Sequence, residues 1–328
     1  MQLLYILEQL RTPAVTKALS ALTYFGGVYG FMVLSIIVFW CIDKRCGYFM
    51  LSLGFLGTVI NQFLKILFRI PRPWVLDPSF EPVESAVADA GGFSFPSGHT
   101  QNVFATFGGV FAWTKKVWLK IVCAVLIVLV AFSRMYLGVH TPLDVGVSVV
   151  IGVVLLLVLY PVFRDLEAHP NRFYGFLAVL AVLLAAFLLY SYLWPFPDWM
   201  YAEEHVVNLI EARHNASILT GALAALTIAY TLDLRRTRFD TKAIWWAQIL
   251  KVVIGLVVTL ALIEGTKAVL GRSDLVTGLR YFLGVLFAAG IWPMTFGWFS
   301  RLGQKVTVGP KKDRKWDLTC ADKCARMK

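Results

Sequence analysis

Charged side chains are scarce. Asp, Glu, Lys and Arg make up 16% of the 328 residues, against about 25% in an ordinary soluble domain. Hydrophobic residues reach 58%, which excludes a disordered chain and argues against a soluble enzyme. Cysteine is equally sparse. Cys41, Cys46, Cys123, Cys320 and Cys324 are too few for a disulfide scaffold. Cys320 and Cys324 have neither a histidine nor a second pair to complete a metal site, so they read as free thiols. The N-terminus lacks a basic n-region and a small-residue cleavage site, so no cleaved signal peptide is expected. A net charge of +11 suggests nucleic acid in a soluble chain. Here no basic stripe is interleaved with stacking aromatics, and no nucleic-acid partner is expected.

What the sequence has instead is long apolar runs. They fall at about 20–41, 48–68, 98–114, 118–134, 143–163, 173–193, 211–232, 244–268 and 280–299. Several approach the roughly 20 residues needed to cross a bilayer. In lipid every backbone polar group must pair internally, so the runs are expected to be helices. The fold class is therefore an all-α, polytopic transmembrane helical bundle of about nine spans. Residues 1–20 read as an interfacial amphipathic segment, with Leu3, Leu4, Ile6, Leu7 and Leu10 on one side. Thr12 and Pro13 form an N-cap followed by proline at the first helical position.

Basic clusters alternate with acidic loops. Lys44-Arg45, Lys115-Lys116 with Lys120, Arg164 with Arg172, and Arg235-Arg236 with Arg238 and Lys242 are each separated from the next by two runs. The positive-inside rule puts them all in the cytoplasm. The loops at 69–97, 135–142, 194–210 and 269–279 then face outward, with the N-terminus outside and the C-terminus inside.

Three of those outward stretches carry chemistry. The first is Lys65-x6-Arg72-Pro73, at the end of the second run. The second is Pro96-Ser97-Gly98-His99, opening the third. The third is Ser133-Arg134-x5-His140-x3-Asp144, between the fourth and fifth. Cations on the outward side need a reason, and a bound anion is one. Arginine presents a planar fork that matches phosphate oxygens. Ser97 and Gly98 sit where a helix begins, so their N–H groups lie at the positive end of its dipole. Two histidines and a carboxylate complete a nucleophile, an acid for the leaving group and dense positive charge, as phosphoryl transfer through a covalent enzyme intermediate requires. Asp144 also stands three residues after Thr141, where it completes a capping box. Arg69 lies outside the pattern and reads as an interfacial residue.

These eleven specified positions, in order and spacing, resemble the signature of the type-2 phosphatidic acid phosphatase superfamily. That superfamily includes lipid phosphate phosphatases, undecaprenyl-diphosphate phosphatases, glucose-6-phosphatase and vanadium haloperoxidases. The resemblance covers about residues 48–165. It implies a metal-independent and cofactor-free phosphatase acting on a lipid phosphate or diphosphate. It also implies that His140 attacks phosphorus, Asp144 orients His140, and His99 protonates the leaving oxygen and then activates water. Lys65, Arg72, Ser97, Gly98 and Arg134 would cradle the phosphate. A sugar-phosphate phosphatase and a phosphotransferase share every motif residue and stand as alternatives. An anion transporter would leave the nucleophile and the acid unexplained, and no inverted repeat is visible. The nine-span plan with an outside N-terminus is similar to glucose-6-phosphatase, but Asp144 departs from that branch.

The expected organisation is thus an interfacial segment (1–20), a membrane phosphatase core (21–165), additional spans (166–306) and a basic cytoplasmic tail (307–328). Within the additional spans Glu264 and Lys267 lie one turn apart, and each is expected to pair with the other or with a neighbouring helix. Glu203, Glu204, His205, Glu211 and His214 resemble a metal cluster only loosely and read as a solvated helix entry.

Overall fold

A computed structural model describes residues 1–302 except Asp89, 268–270 and Arg272, with backbone alone at Glu203 and Glu204. The basic tail, with Cys320 and Cys324, lies outside the described residues. Every regular element among the described residues is helical. In chain order the helices are α1 (Gln2–Gln9), α2 (Pro13–Thr23), α3 (Val28–Cys41), α4 (Lys44–Phe68), α5 (Pro73–Leu76), α6 (Glu84–Val87), α7 (Gly98–Val103) and α8 (Gly109–Trp113). There follow α9 (Val117–Tyr136), α10 (Pro142–Arg164), α11 (Asn171–Leu193), α12 (Glu203–Leu232), α13 (Trp245–Leu260), α14 (Asp274–Leu286) and α15 (Phe296–Arg301).

Seven helical stretches are long and apolar enough to cross a membrane, and α2 with α3 makes an eighth if that bent pair is one span. The expected single span at 20–41 is in fact this pair, bent by 54°. Gly27 is extended (φ −72°, ψ 161°) and breaks the helix, and a β-carbon at Gly30 would strike the Tyr24 carbonyl. Glycine therefore lets the chain double back, a feature that apolar character alone does not report. The expected third span, 98–114, is α7 and α8 joined through a π turn at Phe104–Gly108, and it falls short of spanning length.

Helix α1 docks on the protein instead of lying free. Leu4 and Leu7 are buried, the Tyr5 ring meets Phe80 edge-on at 5.5 Å, and the Tyr5 hydroxyl donates to Asp77 at 2.7 Å. Leu3, Ile6 and Leu10 remain exposed.

Helix α4 joins the two ends of the bundle. Near Lys44, Tyr48 packs with Phe173 and Tyr230, and Phe163 packs with Phe173. Asp233, at the end of α12, accepts from Lys44 at 3.1 Å and from the Tyr48 hydroxyl at 3.4 Å. Helices α12 and α14 approach so closely that a β-carbon at Gly221 would overlap the Gly278 carbonyl. Small residues permit such crossings where lipid removes any hydrophobic drive between helices.

Candidate active site

At the other end of α4 the helix stops at Arg69, which is left-handed (φ 54°). Lys65 in the last turn and Arg72 just beyond are both only 6% exposed. Burying a cation is costly unless it is paired. Yet among the described residues no carboxylate lies within ion-pair distance of either. Backbone carbonyls of the returning loop hold them instead. Lys65 Nζ donates to Gly91 O at 3.2 Å and Phe93 O at 2.6 Å. Arg72 donates to Gly91 O at 2.6 Å, Gly92 O at 3.1 Å and Val139 O at 2.9 Å. Gly92 takes a positive φ of 67°, which turns these carbonyls onto the two cations. Two buried cations hydrogen-bonded to neutral carbonyls, with no carboxylate in ion-pair reach, are chemically suited to receive an anion.

The same loop enters α7. Ser97 is the N-cap, its Oγ accepting from Thr100 N at 3.4 Å. Its N–H donates to Asp144 O at 3.2 Å. Gly98 and His99, one and two residues on, face the cavity. Helix α9 ends in a tight turn in which Val139 N and His140 N both donate to Arg134 O. Thr141 then caps α10, and Asp144 completes a capping box by accepting from Thr141 N at 2.7 Å. The capping and catalytic readings of Asp144 are compatible, because the same Oδ2 lies 3.6 Å from His140 Nδ1.

A cavity of about 180 Å³ collects these parts. Lys65, Arg72, Gly98, His99 and His140 line it, all of them sequence-predicted site residues. Asp144 stands behind His140, 1% exposed. Ser97 and Arg134 do not line it. Ser97 serves the helix cap, and Arg134 is fully buried with one guanidinium nitrogen donating to Thr23 Oγ1 at 2.6 Å. Ser133 donates to Val130 O within its own helix at 2.7 Å.

The imidazole of His140 is bracketed. Arg72 Nη1 lies 3.1 Å from Nε2 and 3.5 Å from Nδ1, so it rests against the ring and not along one lone pair. The Asp144 carboxylate, 3.6 Å from Nδ1, favours the proton on that nitrogen and leaves the lone pair on Nε2. Burial, followed by the charges of Arg72, Arg134 and Lys65, holds His140 well below the ordinary histidine range. It is therefore neutral at pH 7.

Several contributors carry no sequence signal of their own. Ser94 Oγ donates to Asp144 Oδ2 at 2.6 Å; its place in the Gly-Gly-Phe-Ser-Phe-Pro-Ser-Gly-His run was the available hint. Thr23 and the corner at Gly26, where a β-carbon would lie 3.0 Å from His99 O, bring the N-terminal helices against the site. Asn61, Gln62, Gln101 and Asn102 add polar lining. Glu211 and Asn215 of α12 also face the cavity, which corrects the expectation of a solvated helix entry at Glu211. The looser cluster around it disperses: His205 stacks edge-on with Trp199 and His214 turns to Asp274 at 3.9 Å. Among the described residues no group of three His, Cys, Asp or Glu is placed to hold a metal ion. Glu264 pairs with Lys267 at 3.5 Å, as expected, and lies 3.9 Å from Arg280.

An undecaprenyl-diphosphatase of Bacillus subtilis (strain 168) is 30% identical over 103 residues, 31% of this chain and 50% of that protein. Sphingosine-1-phosphate phosphatase 1 of Mus musculus is 24% identical over 200 residues, 59% of this chain and 45% of that protein. Phosphatidylglycerophosphatase B of Bacillus subtilis (strain 168) is 26% identical over 160 residues, 44% of this chain and 74% of that protein. In the first relatives matched, the chain spans about half of their length. No solved structure matches significantly. Residues 46–168, which hold all three motif stretches, match the PAP2 superfamily. Residues 218–305 match the transmembrane extension of PAP2 superfamily phosphatases. With both segments matched in one chain, this protein belongs to the PAP2 superfamily, the type-2 phosphatidic acid phosphatases.

Proposed function

We propose that this protein is an integral-membrane phosphatase that hydrolyses a lipid phosphate or lipid diphosphate at the extracytoplasmic face, through a phosphohistidine and without a metal. The observation that carries the reading is the convergence of Lys65, Arg72, Gly98, His99 and His140 on one cavity, with Asp144 at the far nitrogen of His140. The matched relatives, named for undecaprenyl diphosphate and sphingosine 1-phosphate, support a lipid substrate. The alternation of basic clusters supports the outward orientation.

The chemistry follows from the parts. Lys65, Arg72 and the Gly98 N–H, at the start of α7, hold the phosphate oxygens and stabilise the charge spread over them in the transition state. On substrate binding Arg72 turns its N–H from the His140 ring to a phosphate oxygen. Nε2 then attacks phosphorus, the bond to the leaving oxygen breaks, and His99 gives that oxygen its proton. Asp144 stabilises the imidazolium character that develops on His140. In the second step His99 takes a proton from water, the oxygen attacks phosphorus, and the N–P bond breaks to release inorganic phosphate. Arg134 and Ser97 act from behind the cavity wall. Arg134 fixes the turn that presents His140, and Ser97 fixes the start of α7.

The test is phosphate release by the purified protein in detergent with EDTA, from undecaprenyl diphosphate and from phosphatidate, beside His140→Ala. Wild-type release that falls by roughly 10³-fold or more in the variant is expected, with a phosphoenzyme that is acid-labile and base-stable. Equal release by His140→Ala would overturn the assignment.

A further inference from the structure

Most of the polar lining of the cavity is cationic or donor-bearing, as a phosphate site requires. Glu211 and Asn215, one turn apart on α12, add a carboxylate and an amide to it. A pocket that receives a phosphoryl group and nothing else gains nothing from a fixed negative charge. The charge of Glu211 bears on Lys65 and Arg72, but from beyond ion-pair distance, whereas Asp233 is held by Lys44, Asp274 by Tyr192 at 2.8 Å, and Glu264 by Lys267. Glu211 has no hydrogen bond or ion pair among the described residues.

Glycine leaves room for its carboxylate. A β-carbon at Gly91 would lie 2.6 Å from both Glu211 carboxylate oxygens. One at Gly92 would lie 3.4 Å from Glu211 Oε2 and 3.5 Å from Lys65 Nζ. The carboxylate thus rests against the peptide whose carbonyls hold Lys65 and Arg72. It stands close enough to act on whatever adjoins the scissile phosphate, yet makes no ion pair with either cation. The charged groups sharing this cavity with it are Lys65, Arg72, His99 and His140.

Resting on the phosphatase reading above, we infer that Glu211, assisted by Asn215, is the specificity-determining residue of the site. It accepts a hydrogen bond from a hydroxyl or ammonium group beside the phosphate ester and repels a second phosphate. The preferred substrate class is then a lipid monophosphate with such a donor, as in a sphingoid phosphate, and a diphosphate is disfavoured. A carboxylate discriminates in both directions, because a lost hydrogen bond leaves it unpaired and a like charge is repelled inside a poorly solvated cavity.

The experiment compares kcat/KM for sphingosine 1-phosphate, phosphatidate and undecaprenyl diphosphate in mixed detergent micelles, using the full chain, Glu211→Gln and Asn215→Asp. In the wild type the order is sphingosine 1-phosphate, then phosphatidate, then the diphosphate. Glu211→Gln raises the ratio of diphosphate to sphingosine 1-phosphate kcat/KM by about 30-fold or more. Asn215→Asp, which adds a second negative charge one turn from the first, lowers that ratio and still reports should Glu211→Gln fail to fold. Ratios unchanged in both variants, or a wild type that prefers the diphosphate, would overturn the inference while leaving the phosphatase reading intact. A wild type that releases no phosphate from any of the three, and no more than His140→Ala, would remove the phosphatase reading and this inference with it.

Discussion

At the residue scale the decisive group is His140. A guanidinium nitrogen rests against its ring, a carboxylate faces Nδ1, and the side chain is 2% exposed. The cations and the burial both disfavour the imidazolium, so the folded-state pKa lies well below 6.5. The sign then follows. The neutral, nucleophilic form persists as pH falls through 6.5, the usual midpoint for histidine, and is lost only below it. The native state resists a proton that the unfolded state accepts, so this residue's contribution to stability is present above pH 6.5 and declines as pH falls toward the lowered folded value. Nitrogen NMR of histidine-labelled protein should show His140 neutral, with its proton on Nδ1, at pH 6.5 and somewhat below. A His140 that is half-protonated at or above pH 6.5 would contradict the arrangement. The motif side chains were legible in the sequence because each carries chemistry that an apolar run does not otherwise need. Glu211 and Asn215 were not, since they stand more than a hundred residues from the third helix start that they face. Only the crossing of α12 over the site unites them with it. Ser94 was hidden for a different reason: a serine in a glycine-rich loop has many ordinary uses, and its bond to Asp144 depends on where α10 begins.

At the element scale the segment between α6 and α7 does more than connect. It lays three successive carbonyls, from Gly91, Gly92 and Phe93, across Lys65 and Arg72. That geometry depends on Gly92 at φ 67°, where an L side chain costs roughly 1–2 kcal/mol. Gly92→Ala also sets a methyl between Glu211 and Lys65. The expected result is a fall in kcat/KM of about tenfold or more, together with weaker vanadate binding, measured on folded protein. Unaltered kinetics and vanadate affinity would show that the loop does not set the two cations. Sequence reading succeeded with long helices because length and apolarity are their cause in a bilayer. It missed the interruptions, which depend on hydrogen-bond register. The corner at Gly27 and the π turns at Phe104–Gly108, Ala261–Gly265 and Phe287–Ile291 leave the apolar pattern intact. One of them matters to the site, since the corner places Thr23 and Gly26 against Arg134 and His99.

At the scale of the whole molecule, α12 belongs to both ends. One end supplies Glu211 and Asn215 to the cavity. The other leads into Asp233, which is 3% exposed and is held by Lys44, Tyr48 and the Phe239 N–H at 3.3 Å. Lys44 Nζ also lies 5.0 Å from the Phe239 ring. This junction fastens the extension to the first helix of the matched PAP2 region, and so bears on how far along α4 Glu211 and Asn215 stand. Removing the carboxylate strands a mostly buried ammonium, a change that costs roughly 3–5 kcal/mol when a buried pair loses one partner. Asp233→Ala should therefore lower the thermal midpoint in detergent by several degrees, read by tryptophan fluorescence. The double variant Lys44→Met with Asp233→Ala should recover much of that loss, because no unpaired charge is left. The substrate ratios that Glu211 is inferred to set should also shift toward the diphosphate in Asp233→Ala, although the two residues lie at opposite ends of the helix. An Asp233→Ala protein with an unchanged midpoint and unchanged ratios would mean that α12 is held in place by its crossing with α14 at Gly221 and Gly278 alone.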